Sequence, residues 1–191
     1  MSRVLGIDTS RFLSLYTVPG GTTLRADEEG RCVFSTSSGC RVHARRPLVC
    51  RLYPLGRKSG AGEELFAVFE PEPGCEAVRG REGTIETFLE SQGIAPYFEW
   101  SRRYGDFFRR IVALLERLED AGTLEGQAEG EIPEKAESSV RPWLSDWQDI
   151  DASLAEYCAA KGIEVPVVVE DAIALHLKAM GDWLDDLEAQ I

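Results

Sequence analysis

Four cysteines stand in the first 75 residues, Cys32, Cys40, Cys50 and Cys75, in and beside the chain's only basic stretch. From Gly30 to Gly62 there are seven basic residues, Arg31, Arg41, Arg45, Arg46, Arg51, Arg57 and Lys58, and no Asp or Glu, although the chain's formal charge is -12. Thiolates and metal–thiolate clusters are anionic and need compensating positive charge. Arg41 and Arg51 each follow a cysteine directly, and Arg45 and Arg46 lie between two of them. Such neighbours lower thiol pKa values and favour the thiolate that binds metal. Gly30, Gly39 and Gly74 precede Cys32, Cys40 and Cys75 closely, where backbone N–H groups can turn toward sulfur. The chemistry expected is a metal site with Cys32, Cys40, Cys50 and Cys75 as ligands and Arg41, Arg46 and Arg51 around it.

Spacing alone is a weaker argument. Cys32-x7-Cys40-x9-Cys50-x24-Cys75 lacks the Cys-x2-Cys pairs of zinc ribbons and the tight runs of bacterial ferredoxins. The competing reading is four small apolar core residues. Ligands that are all sulfur suit zinc and iron–sulfur clusters alike. His43 is a subsidiary candidate as a nitrogen ligand. Cys158, on a helix beside Tyr157, is expected to be a buried structural thiol, and His176 a packing or surface residue. There is no phosphate-binding glycine loop, no His pair at helical spacing and no Gly-x-Ser-x-Gly.

These residues need elements to hold them. Asp8-Thr9-Ser10 before Phe12, Leu13, Leu15 and Tyr16 predicts a capped short helix, ended by Pro19-Gly20-Gly21. Thr22–Arg25 and Gly30–Phe34 are expected as short strands, Ser35–Gly39 as a loop, Val42–Arg46 as one helical turn stopped by Pro47, and Leu65–Phe69 as a strand. Thr84 and Thr87 form the weaker type of capping box for a helix that Gly93 stops. From Pro96 to about Ala121, Tyr97, Trp100, Tyr104, Phe107, Phe108, Ile111, Leu114, Leu115 and Leu118 recur at helical spacing, which predicts a long amphipathic helix. Gly122–Ser139 reads as a linker. Two helices follow, one opening at Asp151 and closed by Gly162, the other from about Val168 to Leu187 with Ile173, Leu177, Met180, Trp183, Leu184 and Leu187 inward. The expected class is α+β: a cysteine-bearing metal-binding domain over residues 1–93, a long helix over 94–121, a linker over 122–139 and an acidic helical region over 140–191.

Charge divides along the same line. Residues 1–110 hold 16 basic and 14 acidic side chains, and residues 111–191 hold 5 and 19. The second half is a poor partner for nucleic acid or anionic membrane. No run approaches the roughly 18 apolar residues of a membrane span. The first eight residues lack a signal-peptide core, so a cytoplasmic protein is expected, a compartment where clustered cysteines serve as metal ligands or redox thiols rather than disulfides. An odd count of five also argues against complete pairing.

Gly30-Arg31-Cys32-Val33-Phe34, Gly39-Cys40-Arg41-Val42-His43 and Arg46-Pro47-Leu48-Val49-Cys50-Arg51-Leu52-Tyr53-Pro54 together resemble the YkgJ-like cysteine-cluster family, described as a zinc- or iron-chelating (CxxCxxCC) domain. Pro73-Gly74-Cys75, then Gly80, Gly83-Thr84-Ile85 and Gln92, resembles that family's later segment. The likeness spans about residues 5 to 92. It implies metal chelation, with a four-iron cluster favoured over zinc. It also implies an alternative, a protein-modifying enzyme, since the family description includes flagellin lysine N-methylase. Whether catalysis occurs, and on what protein substrate or partner, is left open by the residues. The chain departs from the family in lacking its four further N-terminal cysteines. Either the start lies upstream of Met1 or this member has lost half its ligands. A third class, a nucleic-acid or anion module built on the basic residues, has few aromatics near them, Tyr53 among them, and the acidic half against it.

Overall fold

The computed structural model describes residues 1–60, 63–70, 83–120 and 147–189. Among them the chain forms helices α1 (Ser2–Leu5), α2 (Thr9–Tyr16), α3 (Leu48–Leu52), α4 (Ile85–Ser91), α5 (Ala95–Asp120), α6 (Ile150–Lys161) and α7 (Val169–Glu188). Strands β1 (Ser35–Thr36) and β2 (Gly39–Cys40) make one antiparallel pair, and β3 (Leu55–Gly60) and β4 (Glu63–Val68) another. The class is α+β. No helix among the described residues is long and apolar enough to cross a membrane. Two compact units are formed, Val42–Arg102 with Met1, and Ser2–Arg41 with Arg103–Ile191. Helix α5 contributes its first eight residues to one and the remainder to the other. The expected linker at Gly122–Ser139 and the turn around Cys75 lie outside the described residues.

In the unit of Ser2–Arg41 and Arg103–Ile191, the core is a helical seam. Phe107, Ile111 and Leu114 of α5 meet Met180 and Leu184 of α7, and Tyr104, Phe108, Trp147, Trp183 and Leu187 close around them. The spacings 107, 111, 114 and 180, 184 are one helix face each, so two apolar stripes are buried together. On α7 the buried line is Ala172, His176, Ala179, Met180 and Leu184. It keeps Met180 and Leu184 of the expected line, with Trp183 and Leu187 packed against the core, but Ile173 and Leu177 are only half-buried and the small or polar Ala172, Ala179 and His176, which carry little apolar signal in sequence, take inner positions. Gly162 ends α6 with φ 65, the left-handed cap that a side chain would strain.

The N-termini of α2 and α6 cap each other. Asp8 caps α2 by accepting from the Arg11 N–H, and Asp149 caps α6 by accepting from the Ala152 N–H. Asp149 also accepts the Thr9 hydroxyl at 2.5 Å and the Ser10 hydroxyl, while Asp151 accepts the Thr9 N–H at 2.8 Å. The Thr9 hydroxyl in turn accepts the Asp151 N–H at 2.9 Å. Orphan donors of two helices are thus satisfied across 140 residues of sequence, and three carboxylates face two positive helix ends.

The segment between α2 and β1 differs from expectation. Thr22–Arg25 and Gly30–Phe34 form only single bridges, Thr17 with Leu24 and Ala26 with Cys32. Asp27 organises a tight loop instead, accepting from the Glu29 and Arg31 N–H groups. A turn from Cys32 to Ser35 ends the extended run. The expected loop at Ser35–Gly39 is a hairpin, with Ser35 opposite Cys40 and Thr36 opposite Gly39. Phe34 is fully buried and stacks on Phe12 and Tyr16, which fixes the hairpin to α2.

In the unit of Val42–Arg102, β3 and β4 pair from Leu55 with Val68 to Gly60 with Glu63. Arg57 stands directly opposite Phe66, so both point to one face, where both lie on the Phe98 ring of α5. A side chain at Gly56 would begin 2.3 Å from the Phe69 ring, which lies over it. Strand β3 was not expected from sequence, since Gly56, Arg57 and Lys58 carry little strand propensity. The Thr84–Thr87 capping box opens α4 in both directions, with bonds of 3.2 and 3.0 Å.

Candidate metal centre

Cys32 sits just before the β1–β2 hairpin and Cys40 ends it. Both are exposed free thiols in the same unit. Ser35 links their backbones: its N–H bonds to the Cys32 carbonyl at 2.7 Å, and it pairs across the ladder with Cys40. Gly39 adopts φ 104 beside Cys40. The Arg41 N–H bonds to the carbonyl of buried Phe34, so the segment leaving the hairpin is anchored while the Arg41 side chain stays at the surface.

Cys50 belongs to the other unit, in the middle of α3, and is also exposed. The short α3 is too small to be stable by itself. It is held by its neighbours. Arg51 donates to the carbonyls of Ala44 at 2.7 Å, Arg46 at 3.1 Å and Gln92 at 2.6 Å, and its guanidinium lies 4.6 Å from the centre of the Tyr97 ring. Arg46 donates to the Gln92 side chain and to His43 Nε2. The guanidinium groups of Arg46 and Arg51 thus fasten the turn at His43–Arg45, α3 and the end of α4 to one another. Leu52 is buried, whereas Val49 beside Cys50 is 72% exposed. Because Nε2 of His43 accepts from Arg46, that nitrogen's lone pair is engaged within the protein.

Cys75, the fourth expected ligand, lies outside the described residues. Among the described residues no three His, Cys, Asp or Glu side chains gather in a group able to hold a metal ion. Cys158 is different from the other cysteines in kind: it is 2% exposed, on the inner face of α6, with its thiol directed at the Glu164 carbonyl 3.8 Å away. That is the structural thiol expected.

Sequence reasoning missed the polar pair in the helical core. His176 is 1% exposed, and its Nδ1 shares a hydrogen bond with the Tyr104 hydroxyl at 2.9 Å. Burial pushes the His176 pKa down to about 4, against a weaker opposing pull from the Trp147 backbone, and pushes the Tyr104 phenol well above its usual value. The ring is therefore neutral, and its Nε2 is buried without a well-formed partner. The signal available was Tyr104 on one apolar stripe and His176 on another. Their pairing needed the helices' relative rotation.

No family model, curated protein or solved structure matches this chain.

Proposed function

We propose that the protein binds a metal centre through Cys32, Cys40, Cys50 and Cys75, an iron–sulfur cluster or zinc, in a structural or redox role. The observation that carries this reading is the exposure of Cys32, Cys40 and Cys50 in the acid-free basic stretch. Cysteine without chemistry to perform is among the most buried residue types, as Cys158 is here. Three surface thiols beside arginines contribute nothing to a core, and a reactive or ligating role accounts for their placement. The four-thiol donor set fits soft metals, and the quoted likeness to the YkgJ-like cysteine-cluster family favours a four-iron cluster. Bound there, such a cluster supplies one-electron redox chemistry, and zinc would supply a structural cross-link. The protein's own part is to deliver thiolates. Arg41, Arg46 and Arg51 supply positive charge along the same stretch; Arg51 also holds the Ala44, Arg46 and Gln92 carbonyls, and Arg46 the His43 and Gln92 side chains.

Because such sites seldom exist complete without their metal, binding and ordering of the ligand segments are coupled. We place the protein in the cytoplasm, a compartment in which clustered cysteines serve as metal ligands or redox thiols rather than disulfides. The test is purification without oxygen, followed by absorption spectroscopy and assay of iron, zinc and sulfide. Brown protein with iron and sulfide in similar amounts supports the cluster. Colourless protein with stoichiometric zinc supports the structural site. Metal-free protein that takes up neither metal on reconstitution overturns the reading.

A further inference from the structure

A second site, unrelated to the cysteines, lies within the unit of Ser2–Arg41 and Arg103–Ile191. A cleft of about 690 Å³ opens along the seam between α2 and α6. Its origin is the size of the facing residues. Ser10 and Ser14, one turn apart on α2, and the small Ala152 and Ser153 of α6 line it, so the two helices meet without filling the space between them. The volume is in the range of small-molecule sites.

The polar groups around the cleft are unevenly committed. The Ser10 hydroxyl donates to Asp149 and the Ser14 hydroxyl to the Arg11 carbonyl, so neither proton is available. Asp149 is occupied by its three caps. Three groups retain capacity. Glu156 makes no hydrogen bond or ion pair among the described residues. The Gln148 Oε1 is buried without a hydrogen-bond partner, while its Nε2 donates to the Gly20 carbonyl at 2.5 Å. Arg25 donates from Nε to the Thr17 carbonyl at 2.8 Å and from Nη2 to the Ser14 carbonyl at 2.9 Å, and its other N–H groups are unspent. The remaining lining includes apolar Leu13, Val18 and Pro19.

The geometry points to a site for a free amino acid with an aliphatic side chain. An ammonium group is matched by the Glu156 carboxylate and the Gln148 Oε1, a carboxylate by the unspent N–H groups of Arg25, and a short apolar chain by Leu13, Val18 and Pro19. A simple amine would leave Arg25 as an uncompensated cation, and a simple carboxylate would face Glu156 and Asp149. The zwitterion alone answers both charges.

Isothermal titration with L-leucine tests this, alongside leucine amide, which lacks the carboxylate, and N-acetylleucine, which lacks the ammonium. Leucine should bind with one-to-one stoichiometry, and both analogues should bind at least about tenfold more weakly, one lost charged hydrogen bond being worth that much or more. Glu156→Gln should weaken leucine by a similar factor. Glu156 has no hydrogen-bond or ion-pair partner among the described residues, so this variant should melt as the parent does, which separates lost binding from lost structure. Absence of saturable heat at millimolar leucine, equal binding of leucine amide, or unchanged binding by a folded Glu156→Gln protein would each overturn the proposal.

Discussion

His176 makes the stability of the helical unit depend on pH in a window that can be stated in advance. In the unfolded chain its imidazole titrates at the ordinary value of 6.5, and in the fold at about 4. Between these values the unfolded state binds more protons, so stability rises with pH from about 4 to 6.5 and falls on acidification through the same range. Below about 4 both states are protonated and the contribution is flat. A separation of about 2.5 pH units corresponds to about 3 kcal/mol, at roughly 1.4 kcal/mol per unit. The perturbation is His176→Gln, whose amide can still hydrogen-bond with the Tyr104 hydroxyl but carries no titrating group. Urea unfolding followed by tryptophan fluorescence at pH values from 4 to 7.5 measures both proteins, with Trp147 packed 6.0 Å from Tyr104 as a local reporter. Asp27 and Asp182, whose hydrogen bonds hold their carboxyls below the ordinary value, also lose stabilisation as pH falls, but they are common to both proteins and cancel in the difference. The stability difference should be constant above pH 6.5 and shift by about 3 kcal/mol against the histidine protein by pH 4. Parallel stability curves for the two proteins would refute the assignment of a buried neutral imidazole.

Three further outcomes follow from packing and hydrogen bonds. Asp149→Ala removes the α6 cap together with the acceptors of Thr9 and Ser10, and should cost about 2 kcal/mol in urea unfolding, with Asp149→Asn recovering part of it. Arg51→Met deletes three bonds to carbonyls and the contact with Tyr97, and should lower stability by about 3 kcal/mol, while Arg51→Lys recovers less than half because an ammonium cannot span the Ala44, Arg46 and Gln92 carbonyls at once. Leu184→Ala opens a cavity at a fully buried position and should cost about 2 to 5 kcal/mol by the same assay.

Much of the helical framework was legible because its signals are local. Asp8, Thr84 and Gly162 mark helix ends by local chemistry that needs no partner far away, and the α5 stripe announces its period over about six turns. The short elements were harder. Strand β3 is stabilised by Arg57 and Phe66 on the Phe98 ring and by Phe69 over Gly56, contacts that no strand propensity encodes. The hairpin at Ser35–Cys40 takes its place from buried Phe34, not from its polar composition. The same distinction applies to the sites. The cysteines and arginines drew attention by type alone, and the structure adds that Arg51 also clamps three backbone carbonyls and Arg46 two side chains. The amino-acid cleft and the Tyr104–His176 pair were invisible, since each depends on residues from helices far apart in the chain.

The central claim is that Cys32, Cys40, Cys50 and Cys75 hold a metal and Cys158 does not. Its most direct test is the metal-to-protein ratio after anaerobic reconstitution, compared among the parent protein, Cys32→Ser, Cys50→Ser and Cys158→Ser. The account predicts that Cys32→Ser and Cys50→Ser each lose most of the bound iron or zinc while Cys158→Ser retains it. Equal metal content in all four proteins, or loss only in Cys158→Ser, would contradict it.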